Sequence, residues 1–511
     1  MTLILRLLIA LASLAAAPLA LAEPADIAAA SRGVVRVVLV AKDGESVQYV
    51  GHGSGFAVTP TLVVTNAHVV ADARNADTML IGVVPSEGTS GYLAKVIAYS
   101  PRNDLALLRL IDKGTIPALT LFPGAVDDGS EVYAVGYPGN VDLAQGLSLA
   151  EIVEPQSAVK TRGYISAGRS SRQFETLLHT APVGSGNSGG PLLDSCGRVI
   201  GVNSFGTLSE GADSEFYFAV SLREVIGFLR EAGVTPRIAG MPCRSLAELD
   251  RAESQRLASE QAQSDAQARR QSAAGEKSRA EAQRRAELAV IAERENAMAL
   301  AALLLVAALA AGGVAFVVEQ RGDRRMALIA GGAGVALVLV AIVAWLLRPP
   351  LESIDERAAA SLSSAEPRAA AATSAQADAG AFVCVFDPAR SRATVSEVAD
   401  VQLAWSAGGC VNGRTQYGLA NDGWSRVLAP NDEATVSVNR YDPATRTYQA
   451  ERFLLGLEAM NAARDARSAM KAPACGVDEA TAREFGAGLQ SIKALLPPHP
   501  NERLVYKCQP R

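Results

Sequence analysis

Histidine is scarce in this chain: four copies among 511 residues, beside 48 Lys and Arg and 53 Asp and Glu. With so few imidazoles, and six cysteines that show no metal-ligand spacing, no metal or other cofactor is expected. Charge of one sign is also missing. The net charge is −5, and the Ala/Gln/Glu/Arg-rich stretch Arg244–Ala297 holds ten basic and ten acidic residues. That balance excludes a nucleic-acid arm, which needs a surplus of cations to meet phosphates. The same stretch has no proline and a single glycine, Gly275, so nothing in it breaks a helix.

What is present is more specific. Gly184-Ser185-Gly186-Asn187-Ser188-Gly189-Gly190-Pro191-Leu192 places a serine on a glycine-dense turn within an alternating apolar pattern. Such glycines let backbone N–H groups converge on one point, and a serine there can attack a carbonyl while Gly186 N–H and Ser188 N–H receive the oxyanion. Alone, the motif is an ordinary turn. Upstream lies Thr65-Asn66-Ala67-His68-Val69-Val70, which follows the apolar run Leu62–Val64. His68 reads either as a buried core histidine or as a proton shuttle suited to neutral pH. Between the two lies Asn103-Asp104-Leu105-Ala106-Leu107-Leu108, where Asp104 is either a strand-opening turn residue or the third member of a triad. The order His68, Asp104, Ser188 is one of the known triad orders.

These three segments resemble the trypsin-like serine peptidases, specifically the bacterial HtrA (Deg) type, over roughly residues 31–235. The resemblance implies two six-stranded antiparallel barrels with the triad in the cleft between them. It implies Ser188 as nucleophile, His68 as general base and Asp104 as the group that orients His68. Gly186 and Ser188 become the oxyanion donors, and Asn203, Ser204, Phe205 and Gly206 the edge of the substrate pocket. Phe205 also reads as a plain core aromatic. Pro182, six positions before Ser188, offers no charge, so small or medium apolar side chains are expected at the cleaved position. Asn187 stands where digestive relatives carry the Asp that pairs with a newly cut N-terminus. His52 and His179 match no motif and are read as structural. Many members of the type assemble as trimers, which leaves a homo-oligomer open. Many also carry a PDZ domain, and no segment here has its length or strand pattern.

Recurrent β-rich runs agree with a barrel or sandwich: Val34–Val40, Gly55–Val58, Met79–Val84, Lys95–Ala98, Leu105–Leu110, Glu131–Val135, Arg198–Val202 and Glu215–Val220, closed by a helix at Leu222–Ala232. Residues 1–22 have the layout of a secretory signal ending at Ala20-Leu21-Ala22; an uncleaved anchor is the alternative. Met298–Val318 and Met326–Leu347 carry no charge over 21 and 22 positions, enough to span a bilayer as helices. The short connection Glu319–Arg325 permits only an antiparallel hairpin. Small residues spaced by four (Ala308/Gly312, Ala327/Gly331, Ala330/Gly334) allow close packing. Arg244–Ala297 reads as a helical stalk, a weak oligomerisation element of the coiled-coil kind, or a partly helical spacer.

The linker 348–380 is Ala/Ser/Pro-rich and is expected to be disordered. Residues 381–511 regain alternation and hold Cys384, Cys410, Cys475 and Cys508, an even set suited to an oxidising compartment. They predict a small α+β domain whose three disulfide pairings are all open, with a Gly-rich hairpin at Trp405–Gly413. Cys196 and Cys243 either form a further bridge, worth roughly 4 kcal/mol by loop closure, or remain two buried thiols. Two functions are compatible with these features. One is an endopeptidase anchored in a bacterial inner membrane through two helices, with its protease and C-terminal domains on the periplasmic side and protein or peptide substrates. The other is a silent peptide-binding pseudoprotease acting as a membrane sensor or scaffold.

Overall fold

Alternating apolar residues close the first half of the chain into two barrels. The computed structural model describes residues 24–43, 46–74, 78–170, 174–207, 215–363 and 379–511; the expected signal segment lies outside them, as do residues 364–378 of the linker. After helix α1 (Pro24–Ser31), strands β1 (Val34–Asp43), β2 (Ser46–Thr59), β3 (Leu62–Thr65), β4 (Met79–Pro85), β5 (Tyr92–Ser100) and β6 (Leu105–Leu110) form a closed barrel in the order β1-β2-β3-β6-β5-β4. A second closed barrel runs β10-β11-β12-β9-β8-β7. Its strands are β7 (Glu131–Gly136), β8 (Val159–Ser170), β9 (Glu175–His179), β10 (Pro191–Asp194), β11 (Val199–Gly206) and β12 (Tyr217–Ser221). Neighbouring strands are antiparallel throughout. Val37, Val63, Ala106 and Leu108 fill the first barrel; Val132, Ile165, Leu192 and Ala219 fill the second. A further core of Phe56, Leu105, Leu107, Val135 and Leu193 joins them.

Closure removes free sheet edges and leaves the connecting loops at the barrel ends to carry function. Between β7 and β8 lie two short helices, α2 (Gly139–Gln145) and α3 (Leu149–Ile152), the latter capped by reciprocal Ser148 and Glu151 bonds. Helix α4 (Leu222–Glu231) follows β12 and buries Val225, Phe228 and Leu229.

The C-terminal region belongs to the same packed unit as the barrels. It is a nine-stranded antiparallel sheet in the order β16-β15-β14-β13-β21-β20-β19-β18-β17. Its strands are β13 (Gly380–Phe386), β14 (Val401–Ser406), β15 (Cys410–Val411), β16 (Thr415–Gln416), β17 (Gly418–Ala420), β18 (Gly423–Leu428), β19 (Thr435–Asp442), β20 (Thr447–Leu454) and β21 (Glu502–Pro510). The Trp405–Gly413 segment is the expected hairpin, pairing Trp405 with Val411. Three bridges form: Cys196–Cys243, Cys384–Cys508 and Cys410–Cys475. The buried Asp26 on α1 pairs with the buried Arg392 guanidinium and accepts from Asn501 Nδ2 at 2.7 Å. Met241, just before Cys243, packs on the core formed by Phe382, Trp405 and Tyr506.

The described residues of the second unit, Ser254–Ser374, are mainly helical. The stalk and first apolar segment are one helix, α5 (Leu246–Gln320), which is 75 residues and so roughly 110 Å long. Helix α6 (Arg324–Leu346) returns antiparallel, with Asp323 capping its start through Met326 N–H. A Cβ on Gly334 would come within 3.4 Å of the Ala308 carbonyl and 3.8 Å of Gly312 N, so the small residues are where the helices meet. The linker departs from expectation at Ser353–Ser363, which forms helix α7. Alanine, read there as low complexity, is also the strongest helix former. Two helices of the described residues are long and apolar enough to cross a membrane. The last two helices, α8 (Leu457–Ser468) and α9 (Glu479–Lys493), cover the C-terminal sheet through Met460, Ala463, Phe485 and Leu489.

Candidate active site

Strand β3 ends at Thr65, and His68 opens a single 3-10 turn directly after it. Asp104 immediately precedes β6, the neighbour of β3, so strand pairing alone brings the two motifs side by side. His68 Nδ1 lies 2.9 Å from both carboxylate oxygens of Asp104, and His68 N–H donates to Oδ1 at 3.1 Å. With Nδ1–H pointed at a carboxylate, Nε2 is left as the basic nitrogen. Asp104 has φ of +52°, a conformation in which a non-glycine residue is strained. Asn66 Nδ2 helps hold it there by donating to the Asp104 carbonyl at 2.7 Å.

Ser188 enters from the second barrel. Ser54 N–H on β2 donates to its carbonyl at 2.8 Å, Gly189 N–H donates to Asn203 O at 2.8 Å, and Asn203 N–H donates to Gly190 O at 2.9 Å. Gly189 has φ of +86°, and a Cβ there would stand 2.3 Å from both Ser54 O and Thr65 Oγ1. Only glycine fits. The Ser188 hydroxyl donates to Ser204 O at 2.9 Å, while Ser204 Oγ–H donates to Asp104 Oδ2. The imidazole, carboxylate and hydroxyl thus fall in one cluster, joined through Ser204. Among the described residues no hydrogen bond links Ser188 Oγ to His68 itself.

The turn before Ser188 presents a ready anion site. Gly186 has φ of +101°, and the Ser185 carbonyl is turned away to accept from Gly139 N–H at 2.8 Å. Neither Gly186 N–H nor Ser188 N–H is taken by another group of the described residues. Two unpaired N–H groups flanking a serine are what a developing oxyanion needs.

The four residues expected at the pocket edge differ in their placement. Asn203 is fully buried and donates through Nδ2 to Gly190 O and Pro191 O, so it braces the serine turn. Ser204 is buried and serves Asp104. Phe205 is 44% exposed and stacks on Phe218 with ring centroids 4.8 Å apart, which makes it a surface aromatic, not a core one. Gly206 sits beside Tyr217. Pro182 is exposed and its carbonyl accepts from Thr161 Oγ1. Asn187 is buried within the turn.

Residues without a motif also meet here. Ser54 Oγ–H donates to Gly186 O at 2.7 Å and accepts from Tyr137 N–H at 2.9 Å. His52 bonds Tyr137 O through Nε2 at 2.8 Å and Tyr49 OH through Nδ1 at 2.6 Å. Burial, with the nearby Arg36 cation, lowers the His52 pKa against the opposing pull of the Tyr137 carbonyl and Asp142, so the ring is neutral. The one cue in the sequence was Gly51-His52-Gly53-Ser54-Gly55, a second glycine-dense segment.

Two barrels, a glycine turn carrying serine and a paired imidazole and carboxylate define a chymotrypsin-like serine hydrolase domain. Residues 53–202 match the trypsin-like peptidase domain. The chain is 33% identical over 201 residues to the serine protease Rv3671c of Mycobacterium tuberculosis, covering 39% of this chain and 46% of that protein. It is 38% identical over 157 residues to the mitochondrial serine protease HTRA2 of Bos taurus, covering 30% and 31%. It is 36% identical over 160 residues to a protein of Pseudomonas fluorescens named a probable periplasmic serine endoprotease, DegP-like, covering 30% and 29%. The chain therefore spans less than half the length of each of these relatives. It carries a trypsin-like peptidase domain similar to those of HtrA-type serine proteases.

Proposed function

We propose that the whole chain is a membrane-anchored envelope endopeptidase that cleaves peptide bonds through His68, Asp104 and Ser188. The observation that carries this reading is the His68–Asp104 pair joined through Ser204 to a serine whose turn offers two free N–H donors. A rotation of the Ser188 side chain off Ser204 O brings Oγ to His68 Nε2. His68 then takes the hydroxyl proton as Oγ adds to the substrate carbonyl carbon. The carbonyl oxygen becomes an oxyanion between Gly186 N–H and Ser188 N–H, and the imidazolium returns the proton to the leaving amine. Phe205 and Gly206 line the approach of the substrate backbone.

Anchoring rests on the apolar helices. Leu303, Leu309, Leu328, Ile329 and Leu347 are each more than 60% exposed, an apolar surface that water does not tolerate at this extent and a bilayer does. The three disulfides support a periplasmic location for the barrels and the C-terminal sheet. Quality control or regulated proteolysis of envelope proteins is the role that fits an anchored enzyme there.

The test is fluorophosphonate labelling of the full-length protein in detergent, with Ser188→Ala beside it. Labelling is expected in the parent and absent from the variant. His68→Ala should lower kcat by at least about 10³-fold, since nucleophile and base act as a unit. A variant lacking the Ser188 hydroxyl that still labels and still cleaves would remove this serine from the reaction.

A further inference from the structure

We propose that His52 is a positioning residue for the oxyanion site, holding the Tyr137–Gly139 turn that fixes the Ser185–Gly186 peptide. The inference rests on the reading of Ser188 as nucleophile and assigns the reaction a group outside its triad.

The geometry runs in one direction. For Gly186 N–H to face a substrate, the peptide joining Ser185 to Gly186 must keep its carbonyl pointed away. Gly139 N–H holds that carbonyl at 2.8 Å. Gly139 follows Tyr137 and Pro138, where β7 has left the barrel, and opens α2 with Pro138 as its N-cap. Two side chains from β2 hold Tyr137, the residue just before that cap. Ser54 Oγ accepts from Tyr137 N–H, and His52 Nε2–H donates to Tyr137 O at 2.8 Å. Tyr49 O–H donates to His52 Nδ1, which sets the tautomer and leaves the proton on Nε2. The ring also lies against the loop itself: a Cβ on Gly186 would be 2.4 Å from Tyr137 O and 2.8 Å from His52 Nε2. The imidazole is therefore packed under the peptide whose orientation decides whether the hole exists.

Among the described residues two charged groups act on His52, Asp142 and Arg36. Asp142 on α2 places Oδ2 3.5 Å from Nε2. Its Oδ1 accepts from the buried Arg36 guanidinium of β1 at 2.8 Å, and Arg36 also donates to Ile152 O of α3. Arg36 further lies over the Tyr137 ring at 4.8 Å. The Arg36–Asp142 pair balances itself and leaves His52 to act as a neutral donor. Without the Nε2–H donor the Tyr137 carbonyl is buried unpaired, the turn shifts, and Ser185 O is free to swing into the hole.

A group acting this way changes transition-state binding and leaves ground-state binding alone. The experiment compares parent, His52→Ala, His52→Gln and Tyr49→Phe as full-length protein in detergent. It reads kcat and KM on a peptide ester, melting temperature, and inhibition by a peptidyl trifluoromethyl ketone. That ketone is attacked by Ser188 Oγ to give a hemiketal whose oxyanion occupies the same hole, its proton passing to His68. His52→Ala is expected to lower kcat by about 10–100-fold, below the 10²–10³-fold cost of deleting a donor outright. KM should hold within about twofold while the ketone inhibition constant rises by the same factor as kcat falls. His52→Gln, whose amide N–H can reach Tyr137 O, should recover most of the loss, and Tyr49→Phe should show a smaller loss of the same kind. Should His52→Ala fail to fold, the Gln and Phe variants carry the test. The inference is overturned if kcat and ketone inhibition stay within twofold of the parent. It is overturned equally if KM and melting temperature fall with activity while ketone inhibition of the remaining enzyme is unchanged. Failure of the underlying reading looks different: Ser188→Ala would remain active.

Discussion

His179 shows how far a single side chain can be committed by its surroundings. It is fully buried on β9 beside Tyr217, with ring centroids 6.0 Å apart, and its ring nitrogens make no well-formed hydrogen bond. Loss of water pushes its pKa from 6.5 down to about 4, and the nearby Ala181 backbone only partly offsets the shift. The folded chain thus holds His179 neutral where the unfolded chain binds a proton. The native state is favoured above pH 6.5 and loses that advantage as pH falls toward 4. Between pH 7.5 and 5.0 the loss is about 2 kcal/mol, from 1.36 kcal/mol per unit. Thermal unfolding of the parent and His179→Leu at both pH values checks this. The melting temperature of the parent should fall more steeply with acid, by several degrees for a unit of this size; parallel falls would show that the ring is not the titrating group. The reading of His179 as structural fits this burial. The sequence singled out His68, Asp104 and Ser188 because each sits in a short motif, and the structure gathers the three into one cluster through Ser204. His52 was not legible in that way. Its partners Tyr49, Tyr137, Asp142 and Arg36 are spread over more than a hundred positions, and only the closing of both barrels collects them.

At the scale of elements, legibility followed periodicity. The apolar runs of β1, β4 and β6 were visible because one barrel face is buried along their length. Strand β8 was missed for a physical reason: its register slips between Ile165 and Ala167, and Lys160, Arg162, Gly163 and Gly168 interrupt the alternation. Strand β9 is short and carries a histidine inward. The two apolar helices illustrate the opposite case, since length and lack of charge announced them while only the structure gives their contact. Gly334 faces the Ala308 carbonyl and Ala311 Cβ, the latter 3.7 Å from where its own Cβ would be. Gly334→Leu is therefore expected to drive α5 and α6 apart by about 2–4 Å, the difference between small and large residues at a helix crossing. Spin labels at the exposed positions Leu309 and Val335 would report it as a longer, broader distance distribution. An unchanged distribution would place the contact elsewhere.

For the molecule as a whole, the decisive fact is that both flanks of the helical unit belong to one packed body. The barrels and the C-terminal sheet share the buried Asp26–Arg392 pair, the Asn501 bond to Asp26, and the Met241 side chain. Arg390 adds a 2.9 Å pair with Glu253, and Glu87 accepts from Leu457 N–H at 2.9 Å. Two ions buried against each other in this way cannot form across a bilayer, and removing one partner would strand the other at a cost of about 3–5 kcal/mol. Under the proposed anchoring, the two apolar helices return the chain to the side it left, which two spans allow and one or three forbid. In that proposed topology the connection holding Arg321, Arg324 and Arg325 would face the cytoplasm, which suits the preference of Arg for that side. The expected outcome in a bacterial host is that alkaline phosphatase fused at Arg511 is active, while a fusion within Glu319–Arg325 is inactive. Activity at the connection and silence at Arg511 would mean that the C-terminal sheet matures apart from the barrels, and the shared Asp26–Arg392 core could not form in the cell.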